Sequence, residues 1–154
     1  DTLRSAFDAT FTWTEITPGG DVPLYLLRSG DCKKMAGAIS CEQYAVASDG
    51  VFAAAMIADY VESLDVHGAW FYRALYWEAG LVGQTLYLEA EAAGIRATGI
   101  GCYFDDSSHE VLGLRDRRFQ VLYHFTMGGP VDDQRLRTHP PYAHLKRSAA
   151  DHGA

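Results

Sequence analysis

The segment from Trp70 to Ala93 limits the possible folds of this chain more than any other. It has the apolar period and the strong helix formers of an α-helix, and Gly94 follows where helices commonly end. Apolar side chains occupy nearly every face, which predicts a long helix that is buried on nearly every face. Two interior glycines, Gly80 and Gly83, each cost about 1 kcal/mol relative to alanine. Their presence indicates close approach of another backbone, a cofactor or a partner helix.

The chain before this helix predicts one strand and two short helices. The apolar run from Val22 to Arg28 indicates a buried strand, and Asp31 after it has the residue type of a helix N-cap. Residues 32–48 predict two short helices that meet at Ser40. Ser40 and Gln43 have the spacing of a capping box.

Three further segments complete the predicted order of elements. The apolar run Val51–Ala58 favours a central strand, although its alanines leave a helix as the alternative. The capping-box pattern Ser107–Glu110 predicts a short helix through Leu112, and Phe119–Met127 predicts a strand. Strands and helices in this order indicate an α+β fold in one layered domain.

Composition excludes several classes of function. The 154 residues carry a net charge of −7, which argues against nucleic acid or an anionic membrane as partner. No apolar run reaches the roughly 18 residues of a membrane span, and the scattered histidines lack the spacing of a metal site. The three cysteines form no CxxC pair, and we interpret them as reduced thiols of a cytoplasmic protein.

A glycine-rich block, Gly94–Asp106, follows the long helix directly. Within it Gly99 and Gly101 flank Ile100, and glycine lets a planar ring approach the backbone closely because it has no Cβ. An ordinary glycine turn between helix and strand is the alternative, since short glycine patterns are weak signals. The block lacks the third glycine of a dinucleotide fingerprint and the Gly-Lys-Ser/Thr of a P-loop.

This block resembles the flavin-contacting turn of the nitroreductase superfamily, and most closely that of its SagB-type dehydrogenases, which include the azoline oxidases. The resemblance runs in order from about residue 24 to residue 130. Besides the block, it rests on Leu26–Asp31, Phe71–Arg73, Glu78–Gln84, Leu86–Gly94 and Tyr123–Pro130.

The resemblance implies a nitroreductase-like fold, a mixed sheet packed with helices around a long buried central helix. It implies an FMN-dependent oxidoreductase whose flavin is sandwiched in a homodimer interface and passes hydride or electrons through N5 to a small-molecule substrate. By position, Thr98, Gly99, Ile100 and Gly101 would contact the ring. Arg73 would contact the phosphate or the O2 edge, with a salt bridge on its own helix as the alternative.

The same resemblance divides the chain into an N-terminal segment (1–20), a nitroreductase-like domain (21–130) and an irregular tail (131–154). The arginine-rich phosphate-binding segment of the family is missing, since Arg4 is followed by no further arginine of that pattern. We therefore expect the domain to be the C-terminal portion of a longer one.

Where azoline oxidases carry a Lys-Tyr pair, this chain has Val66-His67-Gly68. His67 is thus a candidate for proton transfer, with an exposed loop histidine as the alternative.

Two other functions stay open at the level of sequence. The first is a non-catalytic nitroreductase-like module that serves dimerisation or binds a small aromatic ligand without flavin, which the missing arginines favour. The second is a hydrolase that uses Ser107 or a cysteine. The sequence identifies neither the catalytic residue nor the substrate or electron donor.

Overall fold

The computed structural model describes residues 2–131 and 133–146, and its centre is a three-stranded antiparallel sheet. The strands are β3 (Phe52–Asp59), β4 (Arg96–Ile100) and β5 (Phe119–Gly128), in the order β3-β5-β4. Strand β5 is therefore the central strand, and most of its residues are buried. Its aromatic and branched side chains suit a strand with both faces covered.

One face of the sheet packs against the long helix α4 (Phe71–Ala92). Phe125 of β5 is fully buried there, in a cluster with Ala90 and Met127. A β-bulge between Met56 and Ile57 of β3 leaves Leu122 out of the strand pairing. Leu122 joins a second cluster on α4, and Tyr123 contacts both clusters. The bulge thus turns two consecutive residues of β5 towards the same helix.

The other face of the sheet is covered by shorter elements. These are α2 (Lys33–Ile39), a π-helical turn (Tyr44–Ser48) and α5 (Asp105–Leu112). The hydroxyl of Thr126 lies 3.1 Å from the carbonyl oxygens of both Val46 and Phe52, and so joins β5 to the π-helical turn and to β3.

The remaining described elements lie at the periphery. They are α1 (Thr2–Ala6), the two-stranded hairpin of β1 (Thr14–Glu15) and β2 (Tyr25–Leu26), α3 (Tyr60–His67) and a 3-10 turn (Ala143–Lys146). In the predicted tail 131–154, residues 132 and 147–154 lie outside the described residues. None of the described helices is long and apolar enough to cross a membrane.

The α+β fold and its long helix are confirmed. Helix α4 ends where the sequence predicted, and Gly94 has a left-handed φ of 73°. The predicted strands at β3 and β5 and the short helix at α5 are also confirmed. Asp31 accepts a hydrogen bond from the N–H of Lys33, the first residue of α2.

Several local predictions are wrong. Strand β3 lies at an edge of the sheet rather than in its centre. Strand β2 is two exposed residues rather than a buried strand, because it pairs with β1 alone. Neither capping box forms: Ser40 is bonded to the distant His124, and Ser107 lies inside α5, which already begins at Asp105.

Two larger expectations also need correction. The single chain buries one face of α4, but Trp77 is 63% exposed and Leu81 is 70% exposed. The cysteines are not three free thiols, because Cys41 and Cys102 form a disulfide and Cys32 is the free, exposed one among the described residues. The partners are 61 positions apart, a pairing that spacing alone does not reveal.

The two glycines inside α4 predict responses to alanine that differ in size. A Cβ at Gly80 would meet no atom within 4 Å, so Gly80→Ala is expected to raise the free energy of unfolding by about 1 kcal/mol. A Cβ at Gly83 would lie 3.0 Å from Cε1 of Tyr123, so Gly83→Ala should gain less because the ring must shift. Urea unfolding followed by circular dichroism measures both, and equal gains would contradict the packing of Tyr123 on α4.

Candidate functional site

The glycine-rich block forms a strand end rather than a turn. Thr98, Gly99 and Ile100 belong to β4, and Gly101 is the first residue beyond it. Because β4 lies at an edge of the sheet, this backbone is at the surface. The side chain of Ile100 is nevertheless only 4% exposed, so Ile100 can offer a ligand its backbone alone.

Internal packing explains the glycine at position 99. A Cβ on Gly99 would overlap the hydroxyl oxygen of Tyr123. The N–H of Gly99 donates a hydrogen bond of 2.7 Å to the hydroxyl oxygen of Tyr87, on α4. These contacts fix β4 against the helix, and they leave the Gly99 N–H already satisfied.

Gly101 has no such internal explanation. A Cβ there would meet no atom within 4 Å, and its φ is not in the left-handed region that requires glycine. The backbone therefore faces open space at the end of a strand that is held firmly from behind. A flat ring fits this position, because it can approach a glycine backbone more closely than any other.

A groove of about 340 Å³ lies along α4, and two of its lining residues, Tyr87 and Tyr123, contact Gly99 of β4. Small residues of α4 form its floor and tyrosines form its walls; the lining is Tyr76, Ala79, Gly80, Gly83, Gln84, Tyr87, Leu122 and Tyr123. Burial raises the pKa of Tyr76 and of Tyr123 above the ordinary value. Both side chains thus remain neutral phenols, which donate hydrogen bonds and stack on flat ligands.

A second groove, of about 470 Å³, lies on the other side of β4. It is more polar, and Thr98, Thr126, Asp49 and Arg96 contribute to its lining, together with the backbone of residues 128–131. Arg96 is paired with Glu91 at 3.0 Å, with both side chains exposed. Of the predicted site residues, Thr98 is the one that lines this groove.

Arg73 lies far from the strand end in its own chain. Its guanidinium lies over the ring of Trp77, 6.0 Å from the centroid, and it forms no ion pair with any residue described here. Tyr87, which contacts Gly99, is roughly 21 Å further along the helix axis at 1.5 Å per residue. An arginine side chain does not span that distance, so its role in binding stays a prediction.

A buried polar cluster that the sequence patterns did not indicate lies behind the strand end. Ser40 Oγ lies 3.0 Å from His124 Nδ1, and His124 is only 3% exposed. The ring of Tyr103 stacks on His124 with centroids 4.5 Å apart, and its hydroxyl donates to the carbonyl oxygen of Val121. The sequence signal that could have indicated this cluster is His124, a histidine at an inward position of a mostly apolar strand.

Burial also determines the charge of this cluster. It lowers the pKa of His124, which is therefore neutral, and its Nε2 has no hydrogen-bond partner among the described residues. Burial, with the nearby charge of Asp105, raises the pKa of Tyr103 to about 12. The cluster is therefore a neutral support for the loop after Gly101.

The other predicted candidates lie apart from the strand end. His67 is exposed and its ring lies 4.3 Å from that of Phe71 between centroids. Asp106, Ser107 and His109 share helix α5, and no hydrogen bond joins them within the part of the chain described. This arrangement does not provide the linked nucleophile and base that hydrolysis needs.

Residues 22–129 match the model of the nitroreductase family. No curated protein matches this chain in sequence.

Solved structures share the fold of this chain. A protein from Anabaena variabilis, assigned as a nitroreductase, is 28% identical, with a TM-score of 0.65 over 71% of this chain and 22% of its own. Nitroreductase A from Vibrio parahaemolyticus is 16% identical, with a TM-score of 0.56 over 75% of this chain and 52% of its own.

The NADPH:FMN oxidoreductase from Vibrio harveyi, solved in complex with NAD+, is 19% identical, with a TM-score of 0.56. The match covers 77% of this chain and 54% of that protein. This chain thus spans between about a fifth and about half of the length of these three structures.

Lowering the pH is expected to destabilise the fold through His124. Burial holds its pKa below 6.5, so below that pH the unfolded chain binds a proton that the folded chain does not. The free energy of unfolding should fall as the pH drops below 6.5, by up to about 1.4 kcal/mol per pH unit for this group. Above pH 6.5 the group has no effect, since it is neutral in both states.

The measurement compares urea unfolding of the wild type and of His124→Asn between about pH 5 and pH 8. Asparagine keeps a polar group towards Ser40 but does not titrate. The variant should show a shallower loss of stability in acid, and identical slopes would contradict a buried neutral histidine.

Proposed function

This chain belongs to the nitroreductase family, and on that premise we propose that it forms part of a flavin-dependent oxidoreductase that binds FMN at the end of β4. The open backbone at Gly101 carries the proposal, because no atom of the chain occupies the space where its Cβ would lie. The NADPH:FMN oxidoreductase from Vibrio harveyi shares the fold and is named for this cofactor.

Each residue of the strand end has a distinct part in this proposal. The backbone of Ile100 and Gly101 would hold the ring, with Thr98 and Gly99 beside it. The buried side chain of Ile100 and the hydrogen bond from Gly99 to Tyr87 keep that backbone rigid, which a binding surface for a flat ring needs. Bound flavin supplies hydride or electron transfer through N5, and the chain supplies position and surroundings.

We propose that a second copy of the chain completes the site. The outer face of α4 leaves Trp77, Leu81 and Leu88 more than half exposed, and an apolar surface of this kind marks an interface. Arg73 lies on the same helix and would reach the flavin on the partner subunit, since it does not reach the one on its own.

Within the family, the quoted stretches from Leu26 to Pro130 favour the SagB-type branch. A small-molecule substrate fits the groove beside β4, whose tyrosines suit an aromatic or otherwise flat compound. The Val66-His67-Gly68 segment makes azoline oxidation the less favoured chemistry.

The alternative is a module that dimerises or binds a small aromatic ligand without flavin. The positions of two arginines favour it: Arg4 lies over Trp13 at 5.2 Å, and Arg28 lies over Phe11 at 5.4 Å. Arginines held on aromatic rings are less available to a phosphate. Retention of flavin by the purified chain distinguishes the two functions.

Substitution of Gly101 tests the position of the flavin. The visible spectrum of the wild-type chain should keep flavin bands after FMN is added and the excess removed. Gly101→Val should lower FMN affinity by at least about tenfold, which is 1.4 kcal/mol, because its side chain enters the proposed ring space. Gly101→Ala should have a smaller effect of the same sign.

The melting temperature provides the control. Neither Gly101 variant should lower it markedly, because a Cβ at this position contacts nothing in the chain. A wild-type chain that is colourless after FMN is added and the excess removed would contradict the flavin proposal. Normal FMN affinity in Gly101→Val would show that the ring lies elsewhere.

A charge on the outer face of α4 tests the proposed dimer. Leu81→Arg places a cation in the proposed interface and should convert the dimer to a monomer, as measured by analytical ultracentrifugation. Val131→Arg is the matched control, since Val131 is 93% exposed and lies outside α4. A wild-type chain that stays monomeric over the accessible concentration range would contradict the second-copy proposal.

A further inference from the structure

We propose that the Cys41–Cys102 disulfide is a reversible thiol switch that controls how firmly the backbone at Gly101 is held, and through it the affinity for flavin. The effect on affinity rests on the proposed function, whereas the effect on the backbone does not. The bond joins Cys102, the residue directly after Gly101, to the end of α2, with the two Cα atoms 5.8 Å apart.

The disulfide is the covalent member of a set of ties on one loop. The N–H of Phe104 donates to the carbonyl oxygen of Ile39 at 2.8 Å, and Tyr103 stacks on His124. These two contacts hold the loop from position 103 onwards. The disulfide acts one residue nearer to the proposed flavin surface, so its loss frees Gly101 and Cys102 while the rest of the loop stays anchored.

The other end of the disulfide lies in an unfavourable backbone conformation. Cys41 has a φ of 52° and Glu42 has a φ of 58°, and two consecutive residues with side chains seldom adopt the left-handed region. Surrounding structure must enforce such a turn. A turn of this kind relaxes when its cross-link is cut, so reduction changes both segments that the bond joins.

Both cysteines lie near the surface, where an external thiol can approach. Cys102 is exposed and Cys41 is partly exposed. A thiolate of an external dithiol attacks one protein sulfur, forms a mixed disulfide with it and releases the other protein sulfur as a thiolate. The second thiolate of the dithiol then attacks the mixed disulfide and releases the first protein sulfur as well. The protein disulfide gains two electrons and two protons and becomes two thiols, while the dithiol loses the same and becomes a cyclic disulfide.

Counting thiols tests the chemical step. The chain isolated in air should show one reactive thiol, that of Cys32, and three after treatment with dithiothreitol. A small-molecule disulfide should restore the first value. Three reactive thiols in the air-isolated chain would overturn the proposal.

Backbone order parameters from ¹⁵N relaxation test the backbone effect without flavin. Reduction should lower the order parameters of Gly101 and Cys102 to those of a flexible loop, below about 0.6, while the residues of central strand β5 keep theirs. Cys102→Ser should show the low values in both buffers. Cys32→Ser is the matched control and should respond to reduction as the wild type does. Unchanged order parameters at Gly101 on reduction would overturn the switch.

Titration with FMN then tests the consequence. After dithiothreitol is removed under argon, the reduced wild type and Cys102→Ser should bind FMN several-fold more weakly than the oxidised wild type. Equal affinities would overturn control of flavin binding by the disulfide. If the oxidised chain binds no FMN, the proposed function fails, and the order parameters of Gly101 and Cys102 still decide whether the disulfide controls the backbone.

Discussion

The position of Tyr123 between two glycines determines how the rest of the molecule is assembled. Its ring packs on Gly83 of α4, and its hydroxyl occupies the space that a side chain at Gly99 of β4 would need. One residue of the central strand thus joins the long helix to the edge strand. The bulge between β3 and β5 turns Leu122 towards the same helix, and Tyr123 and Met56 pack against both core clusters on α4. The firm support of β4, on which the candidate site depends, follows from this packing.

Local patterns predicted the elements that local forces determine. The period of the segment Trp70–Ala93 and the left-handed Gly94 located α4 almost to the residue, because helix and cap signals lie within a few positions of each other. The aromatic and branched run of β5 identified its strand for the same reason. Whether a strand is central or at an edge depends on pairing along the whole chain, so β3 was placed wrongly.

The errors in the polar residues have a common physical origin. Ser40 has the spacing of a helix cap, yet it bonds to His124, 84 positions away. Cys41, its neighbour, pairs with Cys102 across 61 positions. A buried polar group takes whichever partner the fold brings near, since an unpaired one is costly. The glycines show the same limit. The sequence presents Gly99 and Gly101 as one motif, whereas in the fold Gly99 packs against Tyr123 and Gly101 faces open space.

The central claim is that the flavin binds on the open backbone surface at Gly101, and amide chemical shifts test this location most directly. Titration of the isotopically labelled chain with FMN should move or broaden the amide signals of Ile100 and Gly101 first, with smaller effects at Thr98 and Gly99. The signals of the β1–β2 hairpin should stay unchanged and serve as the internal reference. Saturable changes confined to other parts of the chain, with Ile100 and Gly101 unaffected, would contradict this account.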